Sequence, residues 1–523
     1  MALPVAIVPL IPLLVLASSL LQPTPEIWAH LRTYVLPELL WNTFWLVLGV
    51  GIGVTLLGVS LAWLTTACDY PGRRFFSWAL LLPLALPAYV SAFVWLGLLD
   101  FSGTLPTLLR ERFDIAWVLP IQSRGGVILV MTLALYPYVY LVARAAFHSQ
   151  GARLLEAAQS LGMSRRRAFF HVALPMARPG IAAGLALALM ETLADFGTVA
   201  IFNYNTFTTA IYKAWFSLFS LPAAAKLASL LTCFVFAAVL FESYMRHRRS
   251  YAAPTRAAAA VRRINLAGEQ GWLAAAWCAL VFLLAFAIPV GQMLVWAAAT
   301  AGQDFDMRYI GFAWHSLLLA SLGAALVVVL ALVLGYAQRR DDRPAMRAVV
   351  RFASIGYALP GAVLAVGIFI PVAWLDHRLV AWFGLDGQLI SGTLVVMLLA
   401  YCARFLAVGF GPVEAGLLRI SPAMDEAAQS LGVLGVNRMR GLHLPLLRVP
   451  LLTAAALCFV DIMKELPITL MTRPFGWDTL AVRVFEMTSE GEWERAALPA
   501  VVIALVGLFP VIFLIRSADR ARV

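Results

Sequence analysis

Lysine is almost missing from this chain of 523 residues: Lys213, Lys226 and Lys464 are the only three, and they follow Tyr, Ala and Met. A phosphate-binding loop of the Gly-Lys-Ser or Gly-Lys-Thr type needs glycine ahead of its lysine, so that route to nucleotide hydrolysis is closed. Cysteine is scarce too. Cys68, Cys233, Cys278, Cys402 and Cys458 stand far apart and mostly within apolar runs, where a thiol acts as a small apolar side chain, and no zinc or redox pair is visible. The seven histidines show neither an HExxH motif nor a close pair, and His171 and His443 read as polar loop residues rather than ligands. No GxSxG elbow is present. These shortages leave no catalytic residues, no metal ligands and no cofactor site to name. Charge is the last shortage. With 13% charged and 62% hydrophobic residues, the chain is excluded from the ordinary soluble globular class.

What is present is a series of apolar stretches of about twenty residues, the length that crosses a bilayer. They lie at roughly 3 to 21, 41 to 66, 76 to 98, 126 to 147, 180 to 201 and 223 to 245, and again at roughly 272 to 298, 314 to 337, 349 to 374, 389 to 411, 449 to 471 and 498 to 516. The first is kept as a span, because Met1 to Pro4 carries no basic residue and no convincing small-residue cleavage site follows. The net charge of +11 comes almost wholly from Arg, scattered between apolar runs rather than massed as a nucleic-acid tract. With both termini cytoplasmic, 27 Arg fall on the inner side against 10 Lys or Arg on the outer, the orientation that the positive-inside bias favours. The densest inner segment holds Arg246, Arg248, Arg249, Arg256, Arg262 and Arg263 around Pro254 and several alanines, and reads as a linker that could also meet lipid headgroups.

One polar element is written twice. The heptapeptide EAAQSLG occupies Glu156 to Gly162 and recurs at Glu426 to Gly432, and each copy leads to a Leu-Pro, at Leu174-Pro175 and Leu444-Pro445. The composition predicts a helix with small Ala157 and Ala158 (Ala427 and Ala428 in the second copy) that let a partner approach closely, ended by the glycine. Ser164 is placed to cap a second short helix that must stop before Pro175. An amphipathic helix resting on headgroups is the bland alternative, which near-exact duplication weighs against. In the second copy Leu434 stands where Ser164 caps, Gly435 enters the short helix, and Met439 and Arg440 face the positions of Phe169 and Phe170. The second loop is therefore expected to be less ordered until a partner binds.

The paired E-A-A, Gly and Leu-Pro loops resemble the signature of permease subunits of bacterial ABC importers, and two in one chain resemble the fused permeases of the ferric iron uptake family. The resemblance covers almost the whole chain. It implies an all-α polytopic membrane protein of the bacterial inner membrane. Its about twelve transmembrane helices would form two parallel six-helix repeats. Each repeat would have a cytoplasmic coupling-helix loop, at about 150 to 179 and 420 to 450. The first repeat would be 1 to 250, the linker 251 to 270 and the second repeat 271 to 523. The implied partners are two ATP-binding subunits on the loops, a periplasmic substrate-binding protein and the bilayer. The outer segment TRPFGWDTLAVRVFE, Thr472 to Glu486, is close to the family's ferric-iron members, while thiamine, sulfate, phosphonate and polyamine permeases share the layout.

The duplication extends past the loops. At the same offset of 270, Glu191 matches Asp461, Asp195 matches Glu465, Thr209 matches Thr479 and Lys213 matches Arg483; upstream the offset is 273, pairing Leu86-Pro87 with Leu359-Pro360 and Trp41-Asn42-Thr43 with Trp314-His315-Ser316. Glu191 and Asp195, like Asp461 and Glu465, are spaced to share one helical face, with Gly197 and Pro467 just beyond to loosen the helix. Acids at that depth face the bundle interior or water. They either line a translocation pathway or, with Lys464, lock helices together. Twelve spans with intramembrane acids would also suit a proton-coupled secondary transporter, against which the paired loops argue.

Overall fold

The computed structural model describes residues 2–21, 26–115, 119–247, 263–266, 268–304, 307–341, 343–384 and 387–520; within these, the side chains at 2–4, 6, 26, 149–157, 159, 165–166, 239–247, 303–304, 509, 511 and 513–520 are outside the description. The first repeat contains α1 (Ala2–Ser19), α2 (Glu26–His30), α3 (Leu36–Ala67), α4 (Arg73–Ala79), α5 (Ala88–Leu99) and α6 (Thr104–Phe113). It continues with α7 (Arg124–Ser160), α8 (Arg165–Ala168), α9 (Leu174–Ala194), α10 (Gly197–Ile201), α11 (Phe207–Phe216) and α12 (Leu221–His247). In the second repeat come α13 (Glu269–Phe282), α14 (Ile288–Asp304), α15 (Met307–Arg340), α16 (Pro344–Ser354), α17 (Gly361–Phe383) and α18 (Leu394–Leu418). After a break follow α19 (Pro422–Ser430), α20 (Gly435–Arg438), α21 (Leu444–Met463), α22 (Pro467–Thr472), α23 (Leu480–Ser489) and α24 (Trp493–Arg520). Two-residue strands at Cys68–Asp69 and Ile264–Asn265 pair in parallel.

Ten helices among the described residues are long and apolar enough to cross a membrane. Of the twelve expected spans, the first survives as a shorter apolar helix, Ile7–Ser19, within α1, and α24 runs into side chains outside the description. Four expected spans are broken rather than continuous. Prolines cause two of the breaks: α5 and α17 each follow a Leu-Pro whose leucine is extended, Leu86 at ψ 125 and Leu359 at ψ 135, as the residue before proline prefers. A short 3₁₀ turn precedes each, Leu82–Ala85 and Ile355–Ala358, an exact repeat at offset 273. The other two breaks separate α9 from α10 and α21 from α22.

Four single-turn π-helices, Leu31–Val35, Phe169–Ala173, Leu283–Ala287 and Met439–His443, each stand immediately before an aliphatic-Pro pair: Leu36-Pro37, Leu174-Pro175, Ile288-Pro289 and Leu444-Pro445. Proline offers no N–H and its ring crowds the carbonyl four residues back. Widening the turn before it relieves both problems, and the amides of Leu174, Ile288 and Leu444 reach back five residues to Phe169, Leu283 and Met439. The short helix of each heptad loop therefore does not stop before its proline, as expected from sequence. It passes through a π turn into α9 or α21.

The chain folds into two compact units that interleave the repeats. One contains 304–483 together with 1–31 and 210–232; the other contains 32–209 together with 233–303 and 484–523. In the former, Val5 of α1 joins a core with Ala331, Leu334, Val350, Leu406 and Phe410, and Gly367 lets Pro12 approach so closely that a Cβ would lie 2.6 Å from it. Ser19 and Ser229 hydrogen-bond at 2.9 Å. In the latter unit, α24 buries Ala496, Ala497, Ala500 and Ile503, and Gly507 sits against the Ala85 carbonyl.

Candidate functional site

Both heptads end as their glycines require. Gly162 at φ +84 and Gly432 at φ +75 take the left-handed conformation. The amide three residues beyond the last helical residue closes the turn, Met163 to the Ala158 carbonyl at 3.1 Å and Val433 to Ala428 at 2.9 Å. The third residue of each E-A-A is thus the acceptor of a helix-ending bond. Nothing lies within 4 Å of a Cβ built at either glycine, so an alanine there meets only the backbone penalty. Gly162→Ala and Gly432→Ala should each destabilise their loop by roughly 1–2 kcal/mol. Faster amide exchange at Met163 or Val433, with membrane abundance unchanged, checks this. Ala158 is buried, whereas Glu426 and Ala427 are exposed and Ala428 is half-buried. The side chains of Glu156 and Ala157 lie outside the described residues. Leu174 and Pro175 are half-buried at the head of α9; Leu444 is half-buried and Pro445 exposed at the head of α21.

The two loops are held by different chemistry. In the first, the Ser164 hydroxyl accepts from the Arg167 amide at 3.5 Å, and Trp63 of α3 packs on Phe169 at 4.6 Å and Phe147 at 5.4 Å between ring centres. In the second, Leu434 provides no side-chain cap, as expected. Gly435 is not an interior helix glycine, however: it sits at φ +56, where a side chain would be strained, so the glycine is the suited residue rather than a defect. The second loop is instead gathered around Asp425. Its carboxylate accepts from Arg339 Nε at 3.0 Å and Nη2 at 2.6 Å and from His443 Nε2 at 2.7 Å, with Arg438 Nε 3.7 Å away. Burial works against ionisation of Asp425, but its bonds to Arg339 and His443 outweigh that and hold the carboxyl below the usual carboxylate range. The folded-state pKa being depressed, this stabilisation is present above about pH 4, the unfolded value, and is lost as pH falls through the folded value. His443 is buried, not a loop surface residue, and its ring lies 5.3 Å from Tyr336.

The membrane acids do not share a helical face. α9 ends at Ala194, and Asp195 is extended at ψ 131. There the Asp195 carboxylate accepts from the Thr198 hydroxyl at 2.9 Å and the Val199 amide at 3.2 Å, capping α10. Glu465 does the same in the other unit, accepting from the amides of Ile468 at 2.9 Å and Thr469 at 3.3 Å at the start of α22. Gly197 and Pro467 open these short helices at their first positions. Glu191 and Asp461 remain on α9 and α21 and are partly exposed. Lys464 pairs with Asp461 at 3.2 Å, three residues away in the same segment, so this bond stiffens a helix end and does not lock two helices. Arg404 lies within α18 rather than in an inner loop. Its Nη1 and Glu465 Oε1 both crowd the point where Gly361 would carry a Cβ, at 2.9 and 2.6 Å.

Connector geometry corrects one pairing of the repeats. The Asn42 amide donates to the Asn205 carbonyl at 3.1 Å, and the His315 ring meets the Asp478 carbonyl at 3.2 Å, both at offset 273. Thr206 precedes α11 as Thr479 precedes α23, so Thr206 rather than Thr209 is the counterpart of Thr479, and the match of Lys213 with Arg483 falls with it. The connector from α22 to α23 is longer than that from α10 to α11, which sequence offsets alone cannot place. Among the described residues, no three His, Cys, Asp or Glu side chains gather as metal ligands.

Residues 55–249 match the family model for the binding-protein-dependent transport system inner membrane component. The chain is 28% identical to the Fe(3+)-transport system permease protein FbpB 2 of Haemophilus influenzae over 489 residues, 92% of this chain and 90% of that protein. It is 24% identical to the probable ABC transporter permease protein y4fN of Sinorhizobium fredii, over 90% of this chain and 85% of that one. The molybdenum transport system permease protein ModB of Escherichia coli K12 is 31% identical over 167 residues, 32% of this chain and 72% of ModB.

Proposed function

The chain belongs to the family of binding-protein-dependent transport system inner membrane components, the permeases of ABC importers, and from that premise we propose that its cargo is ferric iron and that two ATP-hydrolysing subunits dock on its two heptad loops. The observation that carries the cargo is the alignment with a ferric permease across both repeats, nine-tenths of each chain, whereas the molybdenum permease matches about a third of this one. Docking is supported by apolar side chains left bare on the loops: Leu161 is 84% exposed, Leu431 81%, Val436 58% and Phe170 56%. Bare apolar surface beside turns of fixed geometry suits a protein partner. The arginine bias supports an orientation with the loops and both termini in the cytoplasm, in which a periplasmic binding protein delivers cargo at the opposite face.

In this reading the permease supplies the route and the loops' partners supply the energy. Glu191 and Asp461, within α9 and α21, are the pathway candidates, while Asp195 and Glu465 hold the backbone of the short helices that follow. The test is uptake of labelled ferric iron by cells expressing the chain together with the ATPase subunit and binding protein of a ferric importer. Uptake should fail without the ATPase and survive collapse of the proton gradient. Competition by molybdate, sulfate, thiamine, a phosphonate or a polyamine would reassign the cargo, and uptake driven by a proton gradient without an ATPase would overturn the importer mechanism.

A further inference from the structure

The second heptad loop begins at a helix break that the first lacks. α7 runs for 37 residues through the first heptad to Ser160, whereas α18 stops at Leu418 and α19 starts at Pro422. Ser421 is extended at ψ 150, as a residue before proline prefers, so the backbone that would carry a rigid rod into the second loop is interrupted. Arg339, in the last turn of α15, spans the gap. Its Nη1 donates to the Leu417 carbonyl at 2.6 Å and its Nη2 to the Ile420 carbonyl at 2.9 Å, while Nε and Nη2 both reach Asp425 Oδ2 in the first turn of α19. The other Asp425 oxygen takes His443 from the π turn. One planar guanidinium thus holds the end of one helix and the start of the next, a task suited to its fixed fork of donors.

We propose that Arg339 is a splint: with Asp425 it makes α18 and the second heptad loop move as one body, replacing the backbone continuity that α7 gives the first loop. Arg339 is a positioning residue, and the role rests on the reading that an ATPase subunit docks on this loop. At the matching places of the first copy stand Thr66, Leu155 and Ala173 for Arg339, Asp425 and His443. None of them can form such a clasp, and with an unbroken α7 none is needed. The two loops are joined to their spans by different routes: an unbroken helix in the first and a side-chain clasp in the second.

Two measurements separate the splint from the docking reading. In the full chain, cysteines replacing Leu418 and Leu431, which are 78% and 81% exposed on either side of α19, take spin labels. The label-to-label distance distribution should be narrow in the parent and broaden in Arg339→Lys, whose ammonium keeps the charge but not the fork, and in Asp425→Asn. In the intact transporter with its ATPase subunits and binding protein, both variants should keep ATPase binding at matched abundance. The ATP hydrolysed per cargo should rise by about tenfold, with the double variant no worse than the worse single one, as for residues acting through one contact. Thr66→Val in the first copy should change neither measurement, and Pro422→Ala should restore part of the coupling in Arg339→Lys by letting the helix run on. Unchanged distance widths in both variants overturn the splint, as do additive losses. Narrow-to-broad widths in a chain whose transport never depends on an ATPase would uphold the splint and sink the docking reading instead.

Discussion

Asp195→Ala is expected to lower transport by more than about tenfold, while Asp195→Asn and Asp195→Ser keep most of it, because capping needs an acceptor and not a charge. The carboxylate receives the Thr198 hydroxyl and the Val199 amide at the start of a five-residue helix, and Thr208 donates to the Asp195 carbonyl at 2.7 Å. Alanine removes the cap, worth about 1 kcal/mol. It also strands buried donors at about 1–3 kcal/mol each, more than so short a helix can recover. Asparagine and serine are comparable caps to aspartate. Glu465→Gln should be less benign than Asp195→Asn, since Arg404 crowds the same point over Gly361 and loses its nearby negative charge. Uptake at matched membrane abundance decides the matter. If asparagine at 195 is as damaging as alanine, the charge itself is used and Asp195 returns to the pathway.

Neither repeat should fold alone as a monomer. A chain ending near residue 250 would contain α1 and the first part of α12 but not 304–483, against which both are packed; it would also leave 32–209 without 233–303 complete and without α24. Val5 and Pro12 on one side and Ala496, Ala500 and Ile503 on the other would lose the surfaces that bury them. Within lipid these helices would lose close van der Waals packing against their partners rather than burial from water, and nothing in the half-chain replaces it. The expected result is a fall of at least about tenfold in the abundance of either half expressed alone, and recovery when both are expressed together. A half that accumulates as a folded monomer would contradict the interleaving, whereas one that accumulates as a dimer exchanging its own end helices would agree with it. Size measurement in detergent with cross-linking tells these apart.

Much of this was legible in one chain read alone. The duplicated heptads gave the helix end at glycine, because only glycine takes that left-handed turn cheaply, and the structure closes both turns with the same bond. Apolar runs marked where helices cross, since length and hydropathy are local properties. The spans expected at roughly 76 to 98 and 349 to 374 instead break at Leu86-Pro87 and Leu359-Pro360, where proline holds the leucine before it extended. The repeat was legible because copying preserves order.

What sequence alone could not decide was which distant residue completes each local motif. Asp425 is a sequence neighbour of the heptad, and nothing along the chain marks Arg339, 86 residues earlier, as the residue that grips it. Asp195 and Glu465 looked like partners of Glu191 and Asp461 on one helix face, because a spacing of four is helical only while the helix continues. The break after Ala194 and after Met463 turned them into caps. The exchange of end helices between the compact units was invisible for a similar reason: hydropathy says that a helix must bury its surface, but not against which neighbour. Local chemistry along the chain determined the elements and their ends, whereas partner choice, set by packing and by hydrogen bonds across long sequence separations, was decided only in the folded structure.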